Sequence, residues 1–265
     1  MMQVNLRVNL KSGLFPAITA MFSVMLLAAC AGIMSEPPVD YEAIISATDR
    51  SDADRKNDIR RKAAQLLAFT GVRPGMKVFD MATGGGYSTE LMARVVGPTG
   101  VVYGQDAPNA SPGGIKNYAS RANTAPMKTA IRLMRPFDDP VPAEVRDLDL
   151  ITFFFEYHEM ERAKTDRVKM NRRLFEILKP GGILVITDHA ARTGDGIAQG
   201  AILHRIEESM VRREVEAAGF RLIDEGHFLR NPADKRDTTV FKNNVPNDEF
   251  ILKFQKPRGE IWNRT

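Results

Sequence analysis

The sequence predicts an α/β fold built on a mostly parallel sheet, and three observations carry that expectation. Short apolar runs alternate with longer stretches of helical periodicity between residues 40 and 257, the pattern of successive strand–helix–strand units. One run, Met76-Lys-Val-Phe-Asp80, empties into a turn of small residues from Ala82 to Gly86, and a helical pattern starts at once at Tyr87. Another, Asp149-Leu-Ile-Thr-Phe-Phe-Phe155, is apolar almost throughout, as a central parallel strand buried on both faces requires.

At 265 residues with 43% hydrophobic content, the chain has room for one such domain with a proper core. Its N-terminus reads as an export signal. Arg7 and Lys11 precede an apolar stretch, Gly13 to Ala29, too short and too broken by Pro16 to read as a permanent span. Leu27-Ala-Ala-Cys30 matches the bacterial lipobox, which would make Cys30 the lipidated first residue of an exported protein anchored on the periplasmic side of the envelope. Ala31 favours the outer membrane under that motif's rule. Cys30 is the only cysteine, so no intramolecular disulfide can form. The expected organisation is a signal peptide over 1–29, a Pro37-Pro38 tether over 30–41, one domain over 42–257 and a tail over 258–265. Without Arg7 and Lys11 the 37 basic residues become 35 against 33 acidic ones, a balance that gives nucleic-acid binding no footing.

Residues 40–69 read mostly as helix, with a charged stretch over Asp49–Arg55 and an apolar stripe of Ile59, Ala63, Leu66 and Leu67. The charged stretch reads as a solvated face, with Asp54 or Arg55 as the residues placed to reach a site. After the first strand and its turn, Ser88–Val96 makes a crossover helix that Gly97-Pro98 ends. Val101-Val-Tyr-Gly104 is the second strand, ending at Gln105-Asp106, and Ala107 to Gly114 is an unusually loop-rich stretch before a short helix over 115–123. Thr129–Met134 is the third strand, followed by Phe137-Asp138-Asp139. The apolar fourth strand ends in Glu156-Tyr-His-Glu-Met160, and an amphipathic helix over 162–178 turns Val168, Leu174, Ile177 and Leu178 inward. Leu178-Lys-Pro-Gly-Gly182 leads into the fifth strand, Ile183–Asp188, with His189 at its end. A helix over 201–218 opening near His204, a sixth strand over 219–225, a long polar flap over 228–248 and a seventh strand over 249–254 complete the chain.

In open α/β sheets ligands sit beyond the carboxyl ends of the strands. Glu156, Tyr157, His158, Asp188 and His189 all fall there, which makes His158, His189, Tyr157 and Asp188 the candidate catalytic residues.

Several stretches together carry a resemblance. They are Val72-Arg-Pro-Gly, Val78-Phe-Asp, Gly84-Gly-Gly-Tyr87, Tyr157-His, Leu178-Lys-Pro-Gly-Gly, Asp188-His-Ala-Ala191 and Arg212 to Phe220. The chain resembles the class I S-adenosylmethionine (SAM) dependent methyltransferases, and within them a family of exported bacterial methyltransferases. The resemblance implies a Rossmann-like seven-stranded methyltransferase fold with a C-terminal antiparallel strand, and SAM as cofactor. It places the cofactor against Asp80, Ala82, Gly84, Gly85, Gly86 and Tyr87 of the turn. Ala82 stands where the motif has its first glycine. Asp106 would meet the ribose hydroxyls, and Phe137 and Asp138 the adenine. The reaction it implies is methyl transfer to an O, N or S nucleophile of a small molecule, with His158 or His189 as base and Asp188 or Glu156 fixing the ring tautomer. The second reading is an inactive envelope lipoprotein that kept the fold, favoured by Ala82, by the loop after Asp106 and by the export signal. The third is a metal site formed by His158, His189 and His204 with a nearby carboxylate.

Overall fold

The computed structural model describes residues 38–259, so Cys30, the signal peptide and the end of the tail lie outside the described residues. Among the described residues no helix is long and apolar enough to cross a membrane.

The N-terminal cover comprises α1 (Tyr41–Ile45), α2 (Asp52–Arg61) and α3 (Ala63–Thr70). Asp40 and Ser51 cap α1 and α2 through their side chains. The single helix expected here is broken at Lys62, which takes a left-handed conformation (φ 46°). That break corrects the apolar stripe. Ala63, Leu66 and Leu67 pack into the core, whereas Ile59, on the other side of the break, is 81% exposed. It also leaves Arg60 and Arg61 at the end of α2, aimed across the carboxyl edge of the sheet.

Seven strands follow: β1 (Lys77–Met81), β2 (Val101–Asp106), β3 (Ala130–Met134), β4 (Leu148–Phe154), β5 (Leu178–His189), β6 (Arg221–Gly226) and β7 (Glu249–Gln255). Their order is β3-β2-β1-β4-β5-β7-β6. All pairings from β3 to β5 are parallel, and β7 runs antiparallel to both β5 and β6. The mixed seven-stranded sheet is the fold the resemblance implies. Between the strands lie α4 (Tyr87–Val96), α5 (Pro112–Ala122), α6 (Arg167–Ile177), the single turn α7 (Gly200–Leu203) and α8 (Glu208–Ala217).

One hydrophobic layer lies on each face. Leu66, Leu67, Leu91, Met92 and Val96 pack on the face covered by α3 and α4. Leu174, Ile177, Val211 and Val215 pack with Phe153 and Phe254 on the face covered by α6 and α8. The order turns back between β1 and β4, so the loops after those strands diverge and leave a crevice at their carboxyl ends.

Three further expectations are corrected. Val168 is exposed, because α6 starts only at Arg167 after the Asp166 cap and shows its first turn to solvent. Strand β5 starts at Leu178, pairing with Leu148 before the main register, so the Pro-Gly-Gly segment lies within it. The helix expected over 201–218 is two, separated by His204 in the left-handed region (φ 55°).

Candidate active site

The turn after β1 is held from behind. Asp80, fully buried, accepts hydrogen bonds from Ser88 Oγ at 2.8 Å, Thr89 Oγ1 at 2.6 Å and Thr152 Oγ1 at 2.7 Å. Burial pushes its carboxyl upward although these hydroxyls oppose the shift. Asp80 therefore fixes the start of α4 to β1 and β4, and its oxygens face protein instead of the crevice. Gln105 ties the turn to β2: its side-chain oxygen accepts from Ala82 N at 3.3 Å and its carbonyl from Thr83 N at 2.9 Å.

The three glycines do different work. Gly84 has φ 52°, and a Cβ built on it would meet nothing within 4 Å, so its surface is open to a ligand. Gly86 (φ 79°) lies where a Cβ would come within 2.9 Å of the Tyr118 ring on α5. Gly85 also faces α5, with a built Cβ 3.1 Å from Asn117 Cβ. Its carbonyl accepts from Arg121 Nε at 2.9 Å. Gly85 and Gly86 thus permit packing, and Gly84 permits binding. Ala82 itself adopts φ 58°, the left-handed conformation that glycine takes without strain. The backbone here keeps the glycine geometry although the residue is alanine.

Two cavities open along the carboxyl edge. The first, about 430 Å³, is lined by Ala82, Gly84, Asp106, Ala107, Phe137 and the Glu156–Arg162 segment among others. Asp106 accepts from Thr83 Oγ1 at 2.8 Å, Gly84 N at 2.9 Å and Arg132 Nη2 at 2.9 Å. Its Oδ1 carries only the Gly84 bond and keeps acceptor capacity on the cavity side. Two residues expected here are elsewhere. Asp138 lies in an annex of about 230 Å³ beyond Phe137 and pairs with Lys169 at 3.3 Å. Tyr87 is turned under α2, its hydroxyl donating to Asp58 Oδ1 at 2.6 Å. Asp54 and Arg55 do not reach the cavity either: Asp54 pairs with Arg121 at 2.5 Å and Arg55 donates to the Ala47 carbonyl.

The second cavity, about 540 Å³, shares Glu156, Glu159 and Arg162 with the first and adds Arg60, Arg61, Phe155, His158, His189, His204 and Phe241. Phe155 closes β4 with φ 59°, a strained conformation for an aromatic residue that turns the following segment across the edge. The polar flap contributes Val240, Phe241 and Asn247 to this wall, as expected of it.

Of the four expected catalytic residues, three come together. Asp188, fully buried, receives His158 Nδ1 at 2.7 Å, the His158 backbone N–H at 2.8 Å and the His189 backbone N–H at 2.8 Å. The His158 and His189 rings lie 5.9 Å apart. Tyr157 is the exception. Its side chain turns into the core, where its hydroxyl donates to Glu214 Oε2 at 2.8 Å and accepts from Asn171 Nδ2 at 2.7 Å. It braces α6 against α8 and touches neither cavity.

Electrostatics separate His158 from Glu156. Burial disfavours a charged His158 ring, but the Asp188 and Glu159 carboxylates overcome it and raise the ring's pKa to about 10. A ring held protonated favours the role of a cation or proton donor over that of a base. Glu156 is the complementary case. Burial, reinforced by Glu159 and Asp188, pushes its carboxyl up to about 7 against the opposing charge of His158. Glu156 lines both cavities, and no hydrogen-bond donor is recorded for its carboxylate among the described residues. Its sequence position marked it as a strand-end acid, but only its neighbours in space set its pKa.

The histidine cluster also differs from expectation. Among the described residues the groups that approach within 4.8 Å of one another are His158, His204 and Glu159, which supplies the expected carboxylate, while His189 stays outside the group. The Glu159 carboxylate already has His158 Nε2 at 3.3 Å, His204 Nδ1 at 2.5 Å and the Arg162 guanidinium against it. Burial would raise its pKa, yet His158 and Arg162 hold it down at about 2. The cluster is thus charge-balanced from within.

Sequence reasoning also passed over Arg60, Arg61, Glu159 and Arg162. The one available signal was the adjacent arginine pair beside a helix break, which reads as a solvated face until the break is known.

Comparison with known proteins agrees with this geometry. A family model described as the ubiE/COQ5 methyltransferase family matches residues 56–200. Among curated proteins, the ubiquinone/menaquinone biosynthesis C-methyltransferase UbiE of Pseudoalteromonas translucida is 30% identical over 124 residues, 47% of each chain. The demethylmenaquinone methyltransferase of Staphylococcus aureus is 31% identical over 130 residues, 49% of each chain. The chain spans about half the length of these relatives. Among solved structures, a SAM-dependent methyltransferase from Aquifex aeolicus aligns with a TM-score of 0.57 at 19% identity, covering 83% of this chain and 100% of that one. The [4+2]-cyclase SpnF aligns with a TM-score of 0.57 at 18% identity, covering 81% and 84%. At such identities these two likenesses concern the fold alone.

Proposed function

The chain belongs to the ubiE/COQ5 methyltransferase family, and from that premise we propose that it methylates a small planar molecule, with Glu156 as the general base. In this reading SAM is the methyl donor, which the family match supports. The residues present fit SAM: Gly84 leaves open the space that a side chain would fill, Asp106 Oδ1 keeps an acceptor site, and Phe137 walls the same cavity. Bound there, SAM would supply an electrophilic methyl: the acceptor nucleophile bonds to that carbon as the carbon–sulfur bond breaks, and S-adenosylhomocysteine is the leaving group.

The protein's part is alignment and proton handling. Glu156, at the junction of the two cavities, takes the proton that the acceptor loses as it attacks. With a pKa of about 7, it is about half ionised at neutral pH and still basic enough to act. His158, held as a cation by Asp188, stabilises negative charge developing on the acceptor. Phe155 and Phe241 give the second cavity apolar walls suited to a flat ring. The curated relatives are named as C-methyltransferases of quinone biosynthesis, which adds carbon to the O, N and S nucleophiles read from the sequence.

The observation that carries this reading is the Glu156 carboxyl, raised by burial and lacking a protein donor where the two cavities meet. The test is transfer of tritiated methyl from SAM to a panel of reduced quinones and phenols. Wild type is expected to label at least one of them. Glu156→Gln should lower that rate by about 10²–10⁴-fold, and a variant within threefold of wild type would refute the assignment. The inactive-lipoprotein reading has no support from the site, whose binding backbone is open at Gly84. For location, we propose the bacterial envelope, resting on Arg7, Lys11 and the Leu27–Cys30 motif.

A further inference from the structure

Arg61, in the wall of the second cavity, is a charged group without a counter-ion among the described residues. Its guanidinium stacks on the Phe155 ring at 4.6 Å and on the Tyr87 ring at 5.1 Å. Its Nε is buried without a hydrogen-bond partner. Among the described residues no hydrogen bond or ion pair to any of its nitrogens is recorded, and burial lowers its pKa to about 10.

Three nearby carboxylates, Glu249, Asp80 and Asp58, meet other groups, and Glu156 in the same cavity wall makes no ion pair with Arg61 among the described residues. Glu249 lies 3.5 Å from Arg60 and 3.1 Å from His189 Nδ1. Asp80 is closed in by three hydroxyls, and Asp58 is taken by Arg50 at 2.7 Å and by Tyr87. Arg61 is half-buried, and burying its Nε without a partner carries a cost that stacking on two aromatic faces offsets only in part. Arg60, Arg162 and the His158 ring line the same cavity, each with a carboxylate of its own in Glu249, Glu159 and Asp188. The planar fork of a guanidinium matches a carboxylate in two parallel hydrogen bonds.

We propose that Arg61 is the carboxylate-binding group of this cleft. The proposal rests on the reading of the cleft as a methyltransferase site. Two ligands can bring a carboxylate there: the methionyl part of SAM, or an acceptor carrying an acid group.

Calorimetry on the full chain separates them, using wild type, Arg61→Gln and Arg61→Lys. The probes are SAM, decarboxylated SAM, and 2-naphthoate against its neutral isostere 2-naphthamide, the last two with S-adenosylhomocysteine present. If SAM is the source, Arg61→Gln weakens SAM at least tenfold and leaves the decarboxylated compound within twofold. If the acceptor is the source, SAM stays within twofold, 2-naphthoate weakens at least tenfold and 2-naphthamide is unchanged. In either case Arg61→Lys, which keeps the charge without the fork, should fall between wild type and Arg61→Gln. The proposal is overturned if wild type binds SAM no better than decarboxylated SAM and 2-naphthoate no better than 2-naphthamide. That comparison needs no variant and holds even if Arg61→Gln fails to fold. Failure of wild type to bind SAM at all would instead remove the methyltransferase reading beneath it.

Discussion

Replacing Glu156 by glutamine should stabilise the protein at alkaline pH while disabling it. A carboxyl held at about 7 instead of its ordinary 4.5 is about 3 kcal/mol harder to ionise in the folded chain than in the unfolded one. Its folded pKa is raised, so its contribution to stability is full below about pH 4.5 and is lost as pH rises through about 7. Above that the native protein carries a charge in a place that disfavours it. Glutamine has the same shape and no charge, and the carboxylate has no recorded protein partner to lose. Glu156→Gln should therefore stay within about 1 kcal/mol of wild type at pH 5 and exceed it by roughly 1.5–3 kcal/mol at pH 8.5, the lower figure allowing for partial solvent access. Urea unfolding at both pH values gives the difference directly. A carboxyl band in the infrared difference spectrum that disappears with a midpoint near pH 7, and only in wild type, would place the titration on this residue. A stability difference that does not change between pH 5 and 8.5, or a variant less stable at the higher pH, would refute the argument.

Other outcomes follow from the same geometry. Asp188→Asn removes the carboxylate that keeps His158 charged, and breaking a buried pair of this kind should cost about 3–5 kcal/mol near pH 6. Because the ring's folded pKa lies above its ordinary 6.5, that stabilisation is full below pH 6.5 and is lost as pH rises through about 10. Nitrogen NMR should find the wild-type ring still protonated at pH 8, and a midpoint near 6.5 would contradict the pairing. Gly86→Ala meets the Tyr118 ring at 2.9 Å in a left-handed conformation and should cost about 2 kcal/mol or more by thermal unfolding. Ala82→Gly should change stability by less than about 1 kcal/mol, since relief of strain is set against the greater freedom of glycine in the unfolded chain. Cys30→Ala should abolish incorporation of labelled palmitate and release the protein from the membrane fraction, and palmitate retained in the variant would refute lipidation at that residue.

The succession of strands along the chain, the small-residue turn after β1 and the acids closing β2 and β4 were all legible in the sequence. Each rests on interactions between near neighbours in sequence: apolar runs that make buried strands, and backbone freedom where glycine and alanine must turn. Even the Ala82 departure from the glycine pattern left the turn where local chemistry places it. Helix limits were less legible. Lys62 and His204 adopt left-handed conformations that no local rule assigns to them, and those two breaks set the directions of Arg61 and of the His204 ring.

The side chains' roles belong to the tertiary structure. Tyr157 and His158 are adjacent, yet one braces two helices on the far face and the other enters the cleft. Against burial, His158 owes its raised pKa to the Asp188 carboxylate brought up from β5, and Glu156 owes its own to burial first of all, with His158, Glu159 and Asp188 acting on it in that order. A sequence states which groups can ionise and on which element each sits. Desolvation and the distance between charges, which decide the protonation state, exist only once β4, β5 and α2 have been packed against one another.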